Sequence, residues 1–441
     1  MSIAPAPARS AAAAGARAPG PVRVLVFPAG TEVGLEIGRA LERSLNVRLH
    51  GAGSRDDHGA LAFARHARLP SISEADFDAR FAALLAQWDI ELVFASHDDV
   101  QAYLAPRIAA WGATLVNGDP QACRVARSKS ATLDMFADAD WIPRRHRDVE
   151  AIGDWPVAVK PDRGQGGQGF ARAADAAALA HAMAGLDQPL VTEYLPGEEI
   201  TVDCFSDRHG ELLHVGARSR ERVVGGVAMR SRPLPADARV EAIAEAINAR
   251  LNLRGPWFAQ LRRDAIGCWK LLEISMRLST GSTLARASGV NLPLLAVQDF
   301  IERDLAVLPE PRLRLLERRL EHHAVLDYPF DTCYFDLDDT LVCDGRANPA
   351  AMRLAYRLLE LGKQLVLLTR HPGDIEGTLR AARISPALFD AIVHLSAGEP
   401  KSSAIVAPAL FIDNHFPERQ EVSRRLGIPV FDVDALDLLC R

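Results

Sequence analysis

The apolar positions of this chain change rhythm twice. Val22-Arg-Val-Leu-Val-Phe27 is a short, almost continuous apolar run, the pattern of a strand buried on both faces of a parallel sheet. The loop from Pro28 to Gly34 follows, then an amphipathic helix from about Leu35 to Leu45. A second apolar strand, Glu91 to Ala95, precedes a helix around Val100 to Trp111. Alternation of this kind predicts a small doubly wound α/β domain over residues 22–127. The glycines of Pro28-Ala-Gly-Thr-Glu-Val-Gly34 fit a tight strand-to-helix turn better than a dinucleotide loop.

From Ser128 to about residue 302 the rhythm becomes β-rich with interspersed helices. Val157–Lys160, Leu190–Tyr194 and Ile200–Phe205 read as strands, and Trp257–Leu261 and Trp269–Ile274 as a hairpin turning through Asp264–Gly267. Residues 303–329, rich in Arg and Leu, read as a helical linker. Strand and helix alternate again over 330–441, with strands ending at Phe335, Leu368, Val393 and Ile412. The fold class is therefore α/β and α+β multidomain, with no internal repeat. Residues 1–21, rich in Ala and Pro, read as a disordered tail. Pro5, Pro7, Arg9 and Arg17 interrupt any apolar segment of signal-peptide type.

Composition narrows the function without choosing it. The 441 residues carry a net charge of −6, which gives no reason to expect nucleic acid or an anionic membrane as partner. The 6 cysteines are scattered, with no Cys-x-x-Cys pair, so reduced thiols in a cytoplasmic protein are expected rather than a disulfide or zinc framework. His322-His323 reads as two solvated histidines, and Trp257 and Phe258 as core.

The central region carries the first chemistry. Lys160 ends an apolar strand, and the loop Asp162 to Gly169 contains Gly164, Gly166, Gly167 and Gly169. Glycines let backbone N–H groups close over phosphate oxygens, and a lysine adds a point charge. Glu193-Tyr194-Leu195 ends the next strand and can offer backbone groups to an adenine edge, with an acid a few residues later for ribose hydroxyls. Gln260 and the Glu273-Ile-Ser275-Met-Arg277 run fall on facing strands, an oxygen set suited to Mg²⁺ shared with nucleotide phosphates.

These residues, in this order, resemble the ATP-grasp superfamily, in its carbamoyl-phosphate-synthase-like branch, from about Val22 to Phe300. The resemblance implies a small α/β pre-ATP-grasp domain followed by an ATP-grasp fold over 128–302. It implies ATP with Mg²⁺ or Mn²⁺ as cofactors. Lys129 and Lys160 would bind phosphates beside Gly166 and Gly167, and Glu193, Tyr194 and Leu195 would form the adenine hinge. Glu199 would bind ribose, and Glu273 with Gln260 the metal. Arg277 would stabilise the transferring phosphoryl group. Ser275 stands where the family usually has a metal-binding Asn, and Ser128 where an Asp commonly precedes the first lysine. Arg218, Arg220 and Arg230 suggest an anionic acceptor.

The second chemistry opens the last region. Cys333-Tyr-Phe335 runs into Asp336-Leu-Asp338, a strand that ends in two carboxylates. Asp336 can attack a phosphoryl group, while Asp338 can protonate the leaving oxygen and then activate water. Thr369 ends a later apolar strand, Lys401 follows Glu399-Pro400, and Asp413 ends a third strand. This order resembles the haloacid dehalogenase (HAD) phosphatases over about Phe330 to Leu439. The resemblance implies a Rossmann-like domain in which Thr369 and Lys401 bind phosphoryl oxygens, and Asp413 joins Asp336 and the carbonyl of Asp338 on Mg²⁺. Asn414 stands where many members have a second Asp, and Glu418 is the candidate to replace it. The 33 positions from Asp336 to Thr369 and the 32 from there to Lys401 leave little chain for a cap domain.

The expectation is a bifunctional enzyme. Its ATP-grasp part joins a small-molecule carboxylate to an amine or other nucleophile through an acyl phosphate, releasing ADP. Its C-terminal phosphatase acts on a phosphoester. A phosphotransferase, or a nucleotide-binding regulatory protein with degenerate sites, is the alternative, and a homo-oligomer is left open.

Overall fold

The computed structural model describes residues 20–164, 166–310 and 312–439. The tail expected over residues 1–21 lies almost wholly outside them. The chain divides into two compact units, Met1–Arg318 and Arg319–Arg441.

A five-stranded parallel sheet opens the first unit: β1 (Val22–Phe27), β2 (Val47–Gly53), β3 (His66–Arg68), β4 (Leu92–Ala95) and β5 (Thr114–Leu115), in the order β3-β2-β1-β4-β5. Successive residues of β1 feed opposite faces. Val22, Val24 and Val26 pack with Val33, Ile37 and Phe94, whereas Leu25 and Phe27 pack with Phe77 and Phe81. Burial on both faces is why the run reads as unbroken apolar sequence. The helix expected around Val100 to Trp111 is broken by Pro106 into Asp98–Leu104 and a 3₁₀ turn, Ile108–Trp111. The Pro28–Gly34 loop is a strand-to-helix turn in which Thr31 caps the helix Glu32–Leu41 by accepting from Gly34 N–H.

Two antiparallel sheets follow. β6 (Val157–Pro161), β7 (Ala171–Ala173) and β8 (Pro189–Glu193) form one, in the order β7-β6-β8. The next strands are β9 (Glu199–Ser206), β10 (Leu212–Ser219), the hairpin β11 (Glu221–Val224) and β12 (Val227–Ser231), then β13 (Gly255–Arg263) and β14 (Trp269–Ser275). Of these, β10-β9-β13-β14 make the second sheet. Trp257, buried on β13, anchors its inner face beside Ile200, Val202 and Cys204, and its indole N–H donates to Ser206 Oγ at 2.9 Å.

The linker corrects a sequence expectation. The described residues of 303–329 contain no helix. Pairing with a neighbouring strand takes backbone groups that a helix would need: the Arg318 N–H donates to the Met229 carbonyl at 2.8 Å. The segment instead supplies β15 (Leu316–Glu317), which pairs with β12, and Glu317 holds Arg222 and Arg230 of that hairpin as ion pairs.

The second unit is built on a parallel sheet of β16 (Thr332–Phe335), a small hairpin β17 (Val342–Cys343) and β18 (Arg346–Ala347), then β19 (Gln364–Thr369), β20 (Ala391–His394), β21 (Ala409–Ile412) and β22 (Val430–Phe431). The sheet order is β20-β19-β16-β21-β22. The alternation of the leading sheet recurs. Cys333, Phe335, Leu365, Leu367, Leu410 and Ile412 share one core, and Tyr334, Val366, Leu368, Ala409 and Phe411 the other. In the parallel register Phe335 lies between Leu367 and Ile412, so the residues that follow emerge together at one edge. Only the hairpin and the helix Pro349–Glu360 separate β16 from β19.

Candidate active site

In the first unit the two antiparallel sheets enclose a cavity of about 330 Å³. β6 brings Lys160 to its wall and β8 brings Glu193, with Tyr194 and Leu195 just after. Gly166 and Gly167 line it from the loop, both at left-handed φ (63° and 73°), where a side chain would be strained. The tip of the β11–β12 hairpin lies over this loop: a Cβ on Gly226 would sit 2.3 Å from the Gly166 Cα. Lys129, Glu199, Gln260 and Glu273 line it too, whereas Arg277 is not in its lining and pairs with Asp98.

The charges in this cavity are spread out. Among the described residues, Lys160 Nζ donates to the Leu272 carbonyl at 3.5 Å, and Lys129 Nζ to the Gly164 carbonyl at 3.3 Å. Burial, reinforced by the neighbouring Lys129 charge, lowers the Lys160 pKa to about 8. Burial also raises Glu273 above the ordinary glutamate value, with Lys129 and Lys160 only partly offsetting it. Gln260 and Glu273 are direct cross-strand partners, so their side chains share a face. Glu199 is held by Arg220, whose Nε lies 2.7 Å from Oε1, and by Arg262 at 3.6 Å. The Glu193 side chain accepts from the Arg144 N–H at 2.8 Å, and its own backbone N–H donates to the Arg144 carbonyl at 2.9 Å.

Three sequence expectations change here. Ser275 does not face the cavity as a free ligand, because its hydroxyl donates to Asp98 Oδ1 at 2.5 Å. Arg218 belongs to no acceptor site. It is buried, with Nε donating to Asp203 at 2.8 Å and another N–H to Ser279. Arg230 is outside the cavity too, on Glu317; of the three arginines Arg220 alone lines it.

Asp98 is the residue that sequence reasoning missed. It follows β4, at the carboxyl edge of the leading sheet, where strand order reverses between β1 and β4. It receives Arg277 at 2.6 Å as well as Ser275. Burial alone would raise its pKa, but the Arg277 charge and the Ser275 hydrogen bond win and lower it. A small cleft beside the main cavity is lined by Asp98, Arg127, Lys129, Glu273 and Ser275. The sequence signal was present in Ala95-Ser-His-Asp98, an apolar strand ending in acid.

In the second unit the expected residues converge. Lys401 Nζ donates to Asp336 Oδ1 at 2.5 Å and to Asp413 Oδ2 at 2.6 Å. All three side chains are nearly or fully buried. One lysine cannot neutralise two carboxylates, and burial raises the Asp336 pKa to about 6 despite the lysine, with Asp413 adding to the rise. Thr369 is buried at the end of β19, its hydroxyl accepting the His371 N–H at 3.0 Å. Asp338 is half exposed and turned to His371. Asn414 is bound to Thr340 through both its N–H and its side-chain oxygen. Glu418 is not poised to replace a metal carboxylate: it grips Arg370 through two hydrogen bonds of 2.6 and 2.9 Å.

Among the described residues, no three His, Cys, Asp or Glu side chains form a ready metal cluster. The donor sets nevertheless fit Mg²⁺, which commonly takes one or two carboxylates and completes its shell with phosphate oxygens and water. Glu273 with Gln260 is one such set, and the uncompensated Asp336–Asp413 pair is another.

The comparisons bear on the fold of the first unit. Residues 186–322 match the family described as "ATP-grasp in the biosynthetic pathway with Ter operon". Among solved structures, the biotin carboxylase domain of Hydrogenobacter thermophilus 2-oxoglutarate carboxylase, in complex with MgADP, ADP and bicarbonate, superposes with a TM-score of 0.57. It has 15% identity, over 67% of this chain and 73% of that one. N5-carboxyaminoimidazole synthetase from Staphylococcus aureus, complexed with ADP, gives 0.54 at 12% identity, over 66% and 79%. An L-amino acid ligase from Bacillus licheniformis gives 0.52 at 16%, over 64% and 75%. No curated protein matches the sequence. The first unit thus has an ATP-grasp fold. No helix among the described residues is long and apolar enough to cross a membrane.

Proposed function

We propose that the first unit is an ADP-forming ligase that activates a small-molecule carboxylate with ATP. The observation that carries this reading is the grouping around one cavity of Lys129, Lys160 and Glu273, with the neutral amide of Gln260 and the glycine loop. The lysines would hold phosphate oxygens, and the strand end at Glu193–Leu195 would take the adenine edge. Glu199 would bind the ribose hydroxyls. Glu273 and Gln260 would hold Mg²⁺, which when bound neutralises phosphate charge. The structural neighbours solved with ADP or MgADP support that ligand set. Attack of the acid's carboxylate oxygen on the γ-phosphorus breaks the bond to the β,γ-bridging oxygen, giving ADP and an acyl phosphate. A nucleophile then takes the acyl group and releases phosphate. Arg277, held by Asp98, would offset the charge of that transfer. The test is a screen of carboxylate–amine pairs for ADP release, with mass spectrometry of products. AMP as the nucleotide product would defeat the acyl-phosphate reading.

For the second unit we propose a HAD-type phosphatase without a cap domain. A specific observation favours it: one lysine bridges two carboxylates at the ends of adjacent parallel strands, with Thr369 on the strand beyond. In this reading Asp336 is the nucleophile and Asp338 the acid/base, while Thr369 and Lys401 hold phosphoryl oxygens. Asp336, Asp413 and the Asp338 carbonyl would hold Mg²⁺. Mg²⁺-dependent hydrolysis of an aryl phosphate, lost in Asp336→Asn, tests it. The free thiols of Cys123, Cys204, Cys268, Cys333 and Cys343 support a cytoplasmic setting.

A further inference from the structure

His371 has no role in the chemistry described so far, yet it is the most constrained side chain near Asp338. Its Nδ1 lies 2.9 Å from Asp338 Oδ1 and 3.1 Å from Oδ2. Its Nε2 lies 2.8 Å from the Thr378 hydroxyl. Its backbone is fixed as well: the N–H donates to Thr369 Oγ1 at 3.0 Å, and the carbonyl faces His394 Nε2 at 2.8 Å. The imidazole side chain is 15% exposed, whereas the Asp338 side chain it meets is 50% exposed. A surface carboxylate that open to water would ordinarily sample several rotamers.

We propose that His371 is the positioning residue for Asp338, an inference that rests on the phosphatase reading. The arrangement suits one tautomer. With the proton on Nδ1, the ring donates to one carboxyl oxygen of Asp338 while Nε2 accepts from Thr378 O–H. A carboxyl group has two oxygens, so the one held by His371 accepts a hydrogen bond whether the group is protonated or not. The other oxygen stays free for the reacting proton. In the first half-reaction Asp336 Oδ attacks phosphorus, the ester P–O bond breaks, and the free oxygen of Asp338 gives its proton to the leaving alkoxide. In the second, the same oxygen takes a proton from water, the hydroxide attacks phosphorus, and the bond to Asp336 breaks. The same contact serves both halves, because His371 neither gains nor loses a proton. The ionised Asp338 carboxylate can only accept, which favours the ring hydrogen on Nδ1, and Thr378 then orients the ring by donating to Nε2.

The experiment uses the full chain with Mg²⁺ and two esters, p-nitrophenyl phosphate and β-glycerol phosphate, read as kcat/KM. That parameter reports the steps up to phosphoryl transfer, and only the alkyl leaving group needs a proton there. In His371→Ala the alkyl ester loses roughly 10- to 100-fold, at least about tenfold more than the aryl ester. Asp338→Asn shows the same asymmetry, and His371→Asn, which keeps a donor near the Nδ1 position, recovers part of the loss. In the metal-free protein, ¹⁵N NMR of the imidazoles, with His371→Asn assigning the signal, shows the Nδ1–H tautomer. Equal losses on both esters, or an Nε2–H tautomer, overturn the proposal. A wild-type chain that hydrolyses neither ester overturns the phosphatase reading and this inference with it.

Discussion

The two sites solve the same electrostatic problem in opposite ways. In the first unit the cations and the carboxylate stand apart around a cavity of about 330 Å³, and among the described residues Lys160 donates to a carbonyl at 3.5 Å. In the second, Lys401 is already within 2.6 Å of both carboxylates. Dispersed, desolvated charge is a site waiting for a large ligand that brings its own counter-charge. Contracted, nearly neutralised charge is a site for one small group and one cation. The difference also assigns the likelihood of strain: the first site is costly while empty, and the second is part of what holds its unit together.

The largest expected effects test whether the two chemistries are separate. Asp336→Asn lowers aryl phosphate hydrolysis by about 10³-fold or more while ADP formation continues, because only a nucleophile's charge is lost. Lys160→Ala does the reverse through the loss of a charge-assisted phosphate contact. A paired assay on both variants checks this, and loss of both activities from either one breaks the comparison.

The next effect is on stability, and the two lysines should differ in sign. Lys401→Met leaves two buried carboxylates side by side and destabilises the second unit by about 3–5 kcal/mol. Lys160→Met removes a cation that burial disfavours, and stays within about 1 kcal/mol of wild type or gains. Denaturant midpoints, with hydrogen exchange to localise the change, read both. Equal destabilisation would mean that Lys160 is paired in solution.

Smaller still is the effect expected of Asp98. Asp98→Ala frees Arg277 and Ser275 together, so ATP turnover falls roughly 10- to 100-fold with little change in nucleotide affinity. The double variant with Arg277→Ala should lose no more than Arg277→Ala alone. Additive losses, read from the same turnover assay, would show that Asp98 acts on something other than that arginine.

Legibility followed the same division. The second site sits at the ends of parallel strands, where register alone lines up Asp336 with Asp413, so apolar runs ending in acid or hydroxyl were enough to find it. The glycine loop and the Glu273–Gln260 pair were legible for a similar reason, as antiparallel partners. What sequence could not show was contact across 177 or more positions: Asp98 reaching Ser275 and Arg277 depends on how the leading sheet packs against β14. Arg218 misled because a buried arginine and a ligand-binding one look alike in sequence, and only Asp203 and Ser279 tell them apart. His371 carried no motif, its role depending on a helix that returns Thr378 to its far nitrogen. The linker failed because its leucine and arginine content carries no sign that Leu316 and Glu317 pair with β12.

The smallest effect concerns protons, and it separates a waiting site from a closed one most directly. In the free protein burial and Lys129 bring the Lys160 pKa down to about 8. Polyphosphate beside the amine stabilises its charged form and raises that value. The bound state therefore holds more protons than the free state across the interval above pH 8, and affinity falls as pH rises through it, by up to about tenfold per unit for one proton. Below about pH 7 Lys160 is charged in both states and contributes no slope. Calorimetry of ATP binding at pH 8, in two buffers of different ionisation enthalpy, should show net proton uptake. Lys160→Arg, charged throughout this range, should bind with a flatter pH profile and little uptake. An unchanged uptake in Lys160→Arg would place the titrating group elsewhere, and with it the idea that this cavity holds its charge in reserve for the nucleotide.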